Sequence, residues 1–390
     1  MDTRTTIPYG RQSISEDDIQ AVVEVLRSDW LTQGPVVPAF EKAIANKCGT
    51  TYGVAVNSAT SALHIACLSL GLGPGDILWT SPNTFVASAN CARYCGADVD
   101  FVDIDPVMAN ISVAKLEQKL HEARRLGRLP KIVVPVHFAG LPCDMASIYA
   151  LSKEFGFRII EDASHAIGAT YRDETVGNCR YSDITVFSFH PVKIITSAEG
   201  GMALTQDAQL AHRMQRLRSH GITRDPALMT HAPDGPWYYQ QIELGFNYRM
   251  TELQAALGLS QLSRLSGFVH RRRELAQRYD TLLSGLPLTL PGRTDNSDSA
   301  WHLYVIRLDP TNCRAAKKQV FARLLDARVG VNLHYIPVHL QPYYQQLGFK
   351  AGDFPQAEIY YSQAISLPLY PDLSDTEHDY IARCMVEAVR

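Results

Sequence analysis

The chain has 390 residues, 46% of them hydrophobic, and a formal net charge of −3. That length buries a core large enough for two domains, and without a basic excess neither nucleic acid nor an anionic membrane is an expected partner. No run of about eighteen apolar residues occurs, and Met1-Asp-Thr-Arg-Thr-Thr leads into no apolar stretch, so a cytoplasmic location is the expectation.

Ser15-Glu-Asp-Asp18 opens a helix with a capping-box pattern, and Ile19, Val22, Val23 and Leu26 give it one apolar face. A loop over 28–35 follows. Tyr52-Gly-Val-Ala-Val56 reads as a strand, and Asn57-Ser-Ala-Thr-Ser-Ala-Leu-His64 as the start of a helix that continues to Leu70. Small hydroxyl residues at a helix start leave N–H groups and the positive dipole end free for a phosphate, although an ordinary cap looks the same. Strand and helix then alternate over 77–80 and 85–94, 99–102 and 113–123, 132–136 and 145–155, and strand 157–160, with turns such as Gly71-Leu-Gly-Pro-Gly-Asp76 between them. This rhythm predicts a largely parallel sheet with helices on both faces, whose sites lie beyond the carboxyl ends of the strands.

Two later strand ends carry chemistry. Phe157-Arg-Ile-Ile-Glu-Asp162 ends in a carboxylate, which either caps a helix or lies beside a protonated ring nitrogen. The apolar run Asp183-Ile-Thr-Val-Phe187 closes on Ser188-Phe-His-Pro-Val-Lys193 and then Ser197-Ala-Glu-Gly-Gly201. A lysine on a turn is commonly a solvated charge. Against an apolar wall it loses its proton and attacks an aldehyde as a free amine. The aldehyde that also needs a phosphate cradle and a carboxylate at its ring nitrogen is pyridoxal phosphate (PLP), and the order of the three features favours it over three separate structural roles.

Past Met250, helical stretches run over 251–262 and 267–283. The charge run His270-Arg-Arg-Arg-Glu274 reads as a solvated helix face. After Ser284-Gly-Leu-Pro287 a smaller unit follows, with strand 301–308, helix 315–327, strand 331–334, a last helix from Thr376 and a polar loop over 292–298. The eight cysteines contain no Cys-x-x-Cys pair, which predicts reduced thiols, and Cys91 and Cys95, one helical turn apart, are assigned to packing. His334 and His339 match no common metal spacing, so no metal is expected.

Asn57-Ser-Ala-Thr-Ser-Ala-Leu, Glu161-Asp-Ala-Ser-His-Ala-Ile-Gly168, Phe187-Ser-Phe-His-Pro-Val-Lys193, Glu199-Gly-Gly201 and Leu244-Gly-Phe-Asn-Tyr-Arg-Met-Thr-Glu-Leu-Gln-Ala-Ala-Leu-Gly258 carry a resemblance over essentially the whole chain. The chain resembles the DegT/DnrJ/EryC/StrS family of PLP-dependent aminotransferases, which place amino groups on nucleotide-linked keto sugars. The resemblance implies an α/β protein of aminotransferase fold type I. Its large PLP-binding domain, with a mostly parallel sheet sandwiched by helices, would cover 1–262, and a smaller C-terminal α/β domain 263–390.

By the same resemblance, Lys193 would hold PLP covalently and carry a proton between the amino donor and the cofactor. Asp162 would pair with the pyridine nitrogen, His165 would lie near the ring or its oxygen, and Phe85 would stack on the ring unless it is a core aromatic. Ala59, Thr60 and Ser188 would meet the phosphate. Asn247 would reach the phosphate of a neighbouring subunit, which implies a homodimer with shared sites. Arg249 would serve either charged substrate groups or an intersubunit ion pair. The sugar-nucleotide side would involve Tyr9, Asp29, Trp30, Leu31 and Thr32, the loop residues His334, Tyr335, Ile336 and Pro337, and again Ala59, Ser188 and Asn247.

Within the family, Ile7-Pro-Tyr-Gly-Arg-Gln12, Leu31-Thr-Gln-Gly34 and Trp237-Tyr-Tyr-Gln-Gln-Ile-Glu-Leu-Gly245 are most similar to the pseudaminic acid branch. That implies transfer from L-glutamate to C4 of a UDP-linked 4-keto-6-deoxy-N-acetylhexosamine of the L-altrose type. Keto sugars of the bacillosamine, perosamine or aminoarabinose types are the alternative. Members that remove a sugar hydroxyl carry histidine where this chain has Lys193, so the lysine separates transamination from a dehydratase or sensor role.

Overall fold

The computed structural model describes residues 6–390. In chain order its strands begin with β1 (Tyr52–Val56), β2 (Ile77–Thr80), β3 (Asp98–Phe101), β4 (Ile132–Val134) and β5 (Arg158–Asp162). A short hairpin, β6 (Thr170–Tyr171) and β7 (Glu174–Thr175), precedes β8 (Ile184–Ser188) and β9 (Gly201–Thr205). The pair β10 (Ile222–Thr223) and β11 (Gln240–Gln241) follows, and the C-terminal part adds β12 (Leu288–Thr289), β13 (Ser297–Asp298), β14 (Tyr304–Leu308) and β15 (Ala364–Leu367).

The main sheet has seven strands in the order β1-β9-β8-β5-β4-β2-β3. Neighbours from β8 to β3 run parallel, whereas β9 is antiparallel to both β8 and β1. Successive side chains point to opposite faces. Val54, Leu78, Val134 and Ile160 therefore pack with Leu63, Ile65 and Met214 of the helices on one face, and Trp79, Val133 and Ile159 with Leu120 and Ile148 on the other. Cys91 and Cys95 lie in the first of these cores, the packing role expected from their spacing.

The structure departs from the expected elements in several places. The helix Val36–Cys48 was not expected, because it starts with Val-Val-Pro and shows no capping residue. The residues of β9 show only a glycine motif in the sequence, and the helices Ala208–Arg218 and Pro355–Gln363 are not among the expected elements. The expected strand 331–334 is an extended segment with a single bridge, Asn332 to Ser366 of β15. The expected strand 301–308 begins only at Tyr304, since Trp301 has a left-handed φ of 51°. The polar loop over 292–298 contributes β13, paired with β6.

The second sheet, β12-β14-β15, is antiparallel throughout. Tyr304, Ile306 and Leu308 face a separate core with Tyr279, Leu324 and Met385, while Val305, on the opposite face of β14, and Leu303 just before it join the core of the main sheet. The N-terminal segment crosses to this side. The Ile7 N–H donates to the Arg328 carbonyl (3.0 Å) and the Gly330 N–H to the Ile7 carbonyl (2.7 Å).

The solvated-face expectation for 270–274 fails at Arg272, which is 1% exposed. In the helix Leu265–Leu282 it shares the buried face of Phe268, Val269, Leu275, Ala276 and Tyr279. Its Nη1 donates to the carbonyls of Trp301 (3.2 Å), His302 (3.2 Å) and Leu369 (2.8 Å). A buried charge persists only where such acceptors replace water. Among the described residues no helix is long and apolar enough to cross a membrane.

Candidate active site

Three carboxyl ends of strands converge on one cavity of about 780 Å³. β1 delivers Asn57 and Ser58, β5 delivers Asp162, and β8 delivers Ser188 and the turn to Lys193. In that turn the Lys193 N–H donates to the His190 carbonyl (2.9 Å), the Ser197 N–H to the Phe189 carbonyl (3.0 Å) and the Phe189 N–H to the Gly200 carbonyl (2.9 Å). Lys193 is half-buried in the cavity wall. Lost hydration pushes its ammonium down to about 8, against the opposing pull of Asp162.

The helix Ala59–Ser69 points its N-terminus into the same cavity. Ser58 is its N-cap and accepts the Ser61 N–H (3.1 Å), while the Ser61 hydroxyl donates to Asn57 Oδ1 (2.7 Å). The first-turn N–H groups of Ala59 and Thr60 are of the kind that a helix leaves without intrahelical partners. Gly201 stands opposite Val56 on one side and Ser188 on the other. A Cβ at Gly201 would lie 2.5 Å from the Ala59 nitrogen and from the Ser58 carbonyl. Only glycine lets β9 come close enough to hold the helix start beside the lysine turn.

Asp162 is buried, and its Oδ2 accepts the Ser88 hydroxyl (2.6 Å) while Oδ1 accepts the Ser164 N–H (3.1 Å). Turns rather than a helix follow it, so the helix-cap alternative does not apply. His165 is also buried. Its Nδ1 accepts the Ala139 N–H (3.3 Å) and its Nε2 lies 3.1 Å from Tyr335 Oη. Burial, then the charges of Lys193 and His334, holds its pKa well below the ordinary imidazole value. His334 is pushed down to about 3 by burial and Lys193, and its Nδ1 lies 2.8 Å from Ser366 Oγ.

The cavity thus brings together Lys193, Asp162, His165, Ala59, Thr60, Phe85 and Ser188, and is lined as well by Tyr9, His334 and Tyr335. Phe85 is 58% exposed, which removes the core-aromatic alternative. Asp29, Trp30, Leu31, Thr32, Ile336 and Pro337 do not line this cavity within their own chain, and neither do Asn247 and Arg249. Trp30 and Leu31 stand on the surface. Asn247 is exposed in a segment bridged to Ser219, and Arg249 Nη1 donates to Ser219 Oγ (3.4 Å).

Sequence reasoning missed Ser88, Ser164, Glu199, Gln254 and His302. Ser88 is the second residue of the helix Ala87–Tyr94 that follows β2, and nothing in its spacing points across the sheet to Asp162. Glu199 lies within the quoted Glu-Gly-Gly motif but was not given a role. His302 is signalled only by its place before β14, and its ring centre lies 4.4 Å from that of His165.

A family model described as the DegT/DnrJ/EryC1/StrS aminotransferase family matches residues 12–386. The chain belongs to that family. Among relatives of this family, the spore coat polysaccharide biosynthesis protein SpsC of Bacillus subtilis (strain 168) is 41% identical over 387 residues, 98% of this chain and 96% of that one. The UDP-4-amino-4-deoxy-L-arabinose–oxoglutarate aminotransferase of Shewanella sediminis (strain HAW-EB3) is 34% identical, covering 98% of each chain. Helicobacter pylori PseC, an aminotransferase involved in the biosynthesis of pseudoaminic acid, superposes with a TM-score of 0.90 at 31% identity, covering 99% of each chain.

Aminotransferases of the DegT/DnrJ/EryC1/StrS family depend on PLP, and solved relatives include a PLP form and a PMP form. The chain is a PLP-dependent aminotransferase for nucleotide sugars. Its own residues fit the cofactor. An N-terminal helix turn, kept open by Gly201, suits a phosphate, a buried carboxylate with free lone pairs suits a pyridinium, and an amine with a lowered pKa suits an aldehyde.

Proposed function

We propose that the chain transfers an amino group from L-glutamate to C4 of a UDP-linked 4-keto-6-deoxy-N-acetylhexosamine of the L-altrose type, in pseudaminic acid biosynthesis. The observation that carries the chemistry is Lys193, with its amine pushed down to about 8, in one cavity with Asp162 and the start of the helix Ala59–Ser69. The likeness to PseC and the local motifs favour the sugar. PLP, when bound, supplies a sink for the electrons left at the donor's α-carbon.

In this reading Lys193 would hold the cofactor through its aldehyde, and its amine, when free, would move a proton from the donor's α-carbon. Asp162 would hold the proton on the pyridine nitrogen, and Ser88 and Ser164 fix its carboxylate. Ala59, Thr60 and Ser188 would hold the phosphate, Phe85 would stack on the ring, and His165 would lie near the ring or its oxygen. Tyr9, His334 and Tyr335 form the wall nearest the sugar. The division into a cofactor-holding unit over 1–262 and a smaller unit over 263–390 belongs to the same proposal, supported by the separate core of the second sheet.

The likeness to SpsC and to the arabinose enzyme favours a second reading, in which the acceptor is another nucleotide-linked keto sugar. A panel of UDP-linked 4-keto sugars offered with L-glutamate separates the two. The L-altro substrate is expected to show the highest kcat/KM, and a higher value for a gluco-configured or pentose acceptor would replace the first reading by the second.

The proposal includes a homodimer whose partner supplies Asn247. It is supported by the exposure of Asn247 and by its position outside the cavity of its own chain. Lys193→Ala and Asn247→Trp chains, each inactive alone, are expected to recover activity when mixed, because a heterodimer has one doubly defective site and one intact site. With random exchange of a two-fold dimer about a quarter of the sites should work. Mixtures that stay inactive after exchange is confirmed by native mass spectrometry would exclude the shared site.

A further inference from the structure

We infer that the Tyr335 hydroxyl, aimed by His165, is a hydrogen-bond donor that this chain offers to an oxygen of the molecule held in the cavity. The inference rests on reading the cavity as the PLP and sugar site, and on a count of protons. A backbone N–H only donates, so the contact from the Ala139 N–H (3.3 Å) makes His165 Nδ1 the bare ring nitrogen. A neutral imidazole with Nδ1 bare carries its proton on Nε2, and that nitrogen lies 3.1 Å from Tyr335 Oη. Tyr335 Oη therefore accepts from His165, and its own proton points elsewhere. Among the described residues it has no second hydrogen-bond partner, and Tyr335 lines the cavity.

The surrounding structure holds this relay in one arrangement. Ala139 has a φ of 58° and Gly140 a φ of 98°, an excursion that turns the Ala139 N–H toward His165. A Cβ at Gly140 would lie 2.9 Å from the Trp301 nitrogen, 3.0 Å from the His165 carbonyl and 3.0 Å from the His302 nitrogen. His302 is thereby packed against the His165 ring, and Arg272 ties down the carbonyls of Trp301 and His302 from below. Burial, followed by the charges of Asp162 and Tyr9, raises the Tyr335 pKa, so the hydroxyl stays protonated at any working pH. With both ring nitrogens engaged, His165 acts through Tyr335 and is a positioning residue.

Two ligand oxygens have the required chemistry, the anionic ring oxygen of the cofactor and an oxygen of the sugar. The test compares wild type, Tyr335→Phe, His165→Leu and the double variant as PLP-loaded protein. One arm titrates the absorbance of bound cofactor with pH. The other measures Kd for UDP-N-acetylglucosamine on the PMP-loaded protein. Loss of a donor to the ring oxygen raises the spectral midpoint by about one pH unit, and loss of a donor to the sugar weakens Kd roughly ten-fold with the midpoint unmoved. Either result supports the inference if each single variant produces it and the double variant adds nothing, because both changes then remove one relay.

Additive effects, or no change in either arm, overturn it. Melting curves confirm that each variant folds, and His165→Gln replaces His165→Leu if the latter does not. A wild-type chain that takes up no PLP would instead defeat the reading of the cavity, whereas PLP-loaded variants indistinguishable from wild type would defeat only the relay.

Discussion

Lys193→Ala is expected to leave a folded chain that still takes up PLP but turns over at less than about a thousandth of the wild-type rate, the scale of a group that is both nucleophile and proton carrier. Folding survives because the turn is anchored by its neighbours, with Ile194 and Ile195 buried and Phe189 at 0% exposure. Chemistry is not expected to survive, because among the described residues no other amine lines the cavity. Single-turnover absorbance with L-glutamate measures the loss, and borohydride, which should fix the cofactor to the wild-type chain, should leave the variant unlabelled. A variant retaining a hundredth of the rate would place the proton carrier elsewhere. Because burial lowers the amine to about 8, the rate at which wild-type apoprotein captures an aldehyde should fall about ten-fold per pH unit below that value, as the neutral amine is lost.

The second large effect is expected at Asp162. Asp162→Asn keeps the size of the side chain, and the Ser164 N–H can still donate to its remaining oxygen, while the Ser88 hydroxyl can turn to accept from the new amide. What disappears is the negative charge that, in the proposed reading, would keep the pyridine nitrogen protonated. Cofactor uptake should persist while the half-reaction with L-glutamate slows roughly 100- to 1,000-fold, the range for losing one fixed group that stabilises developing charge. Stopped-flow absorbance provides the rate, and an unchanged rate would leave Asp162 with a structural role alone.

Much of this site could be read from local pattern. Asp162 closes an apolar strand, Lys193 lies on the turn after another, and the hydroxyl-rich start at 57–61 follows a third, so all three fall beyond the carboxyl ends of strands. What escaped was long-range or masked by composition. Gly201 belongs to a strand that runs against its neighbours, and no periodicity marks a five-residue segment that begins with glycine as the link between the two halves of the site. Arg272 hid in a charge run, although Phe268, Val269, Leu275, Ala276 and Tyr279 fall at helical spacing around it and would have placed it inside. Tyr335 was named for its loop, but its bond to His165 depends on a backbone excursion at Ala139 that no residue type announces.

The antiparallel seat of β9 also orders events in time. Among the described residues β1 pairs with no strand except β9, so its place in the sheet waits for residues 201–205. As the polypeptide leaves the ribosome, β2 to β5 can associate through crossovers of modest length, but the segment leading to Ser58 stays loose until a much later piece slides between it and β8. Loop closure over that separation is slow compared with forming the local units. The two halves of the site, the helix start after β1 and the lysine turn after β8, are therefore joined only once residues 201–205 are in place.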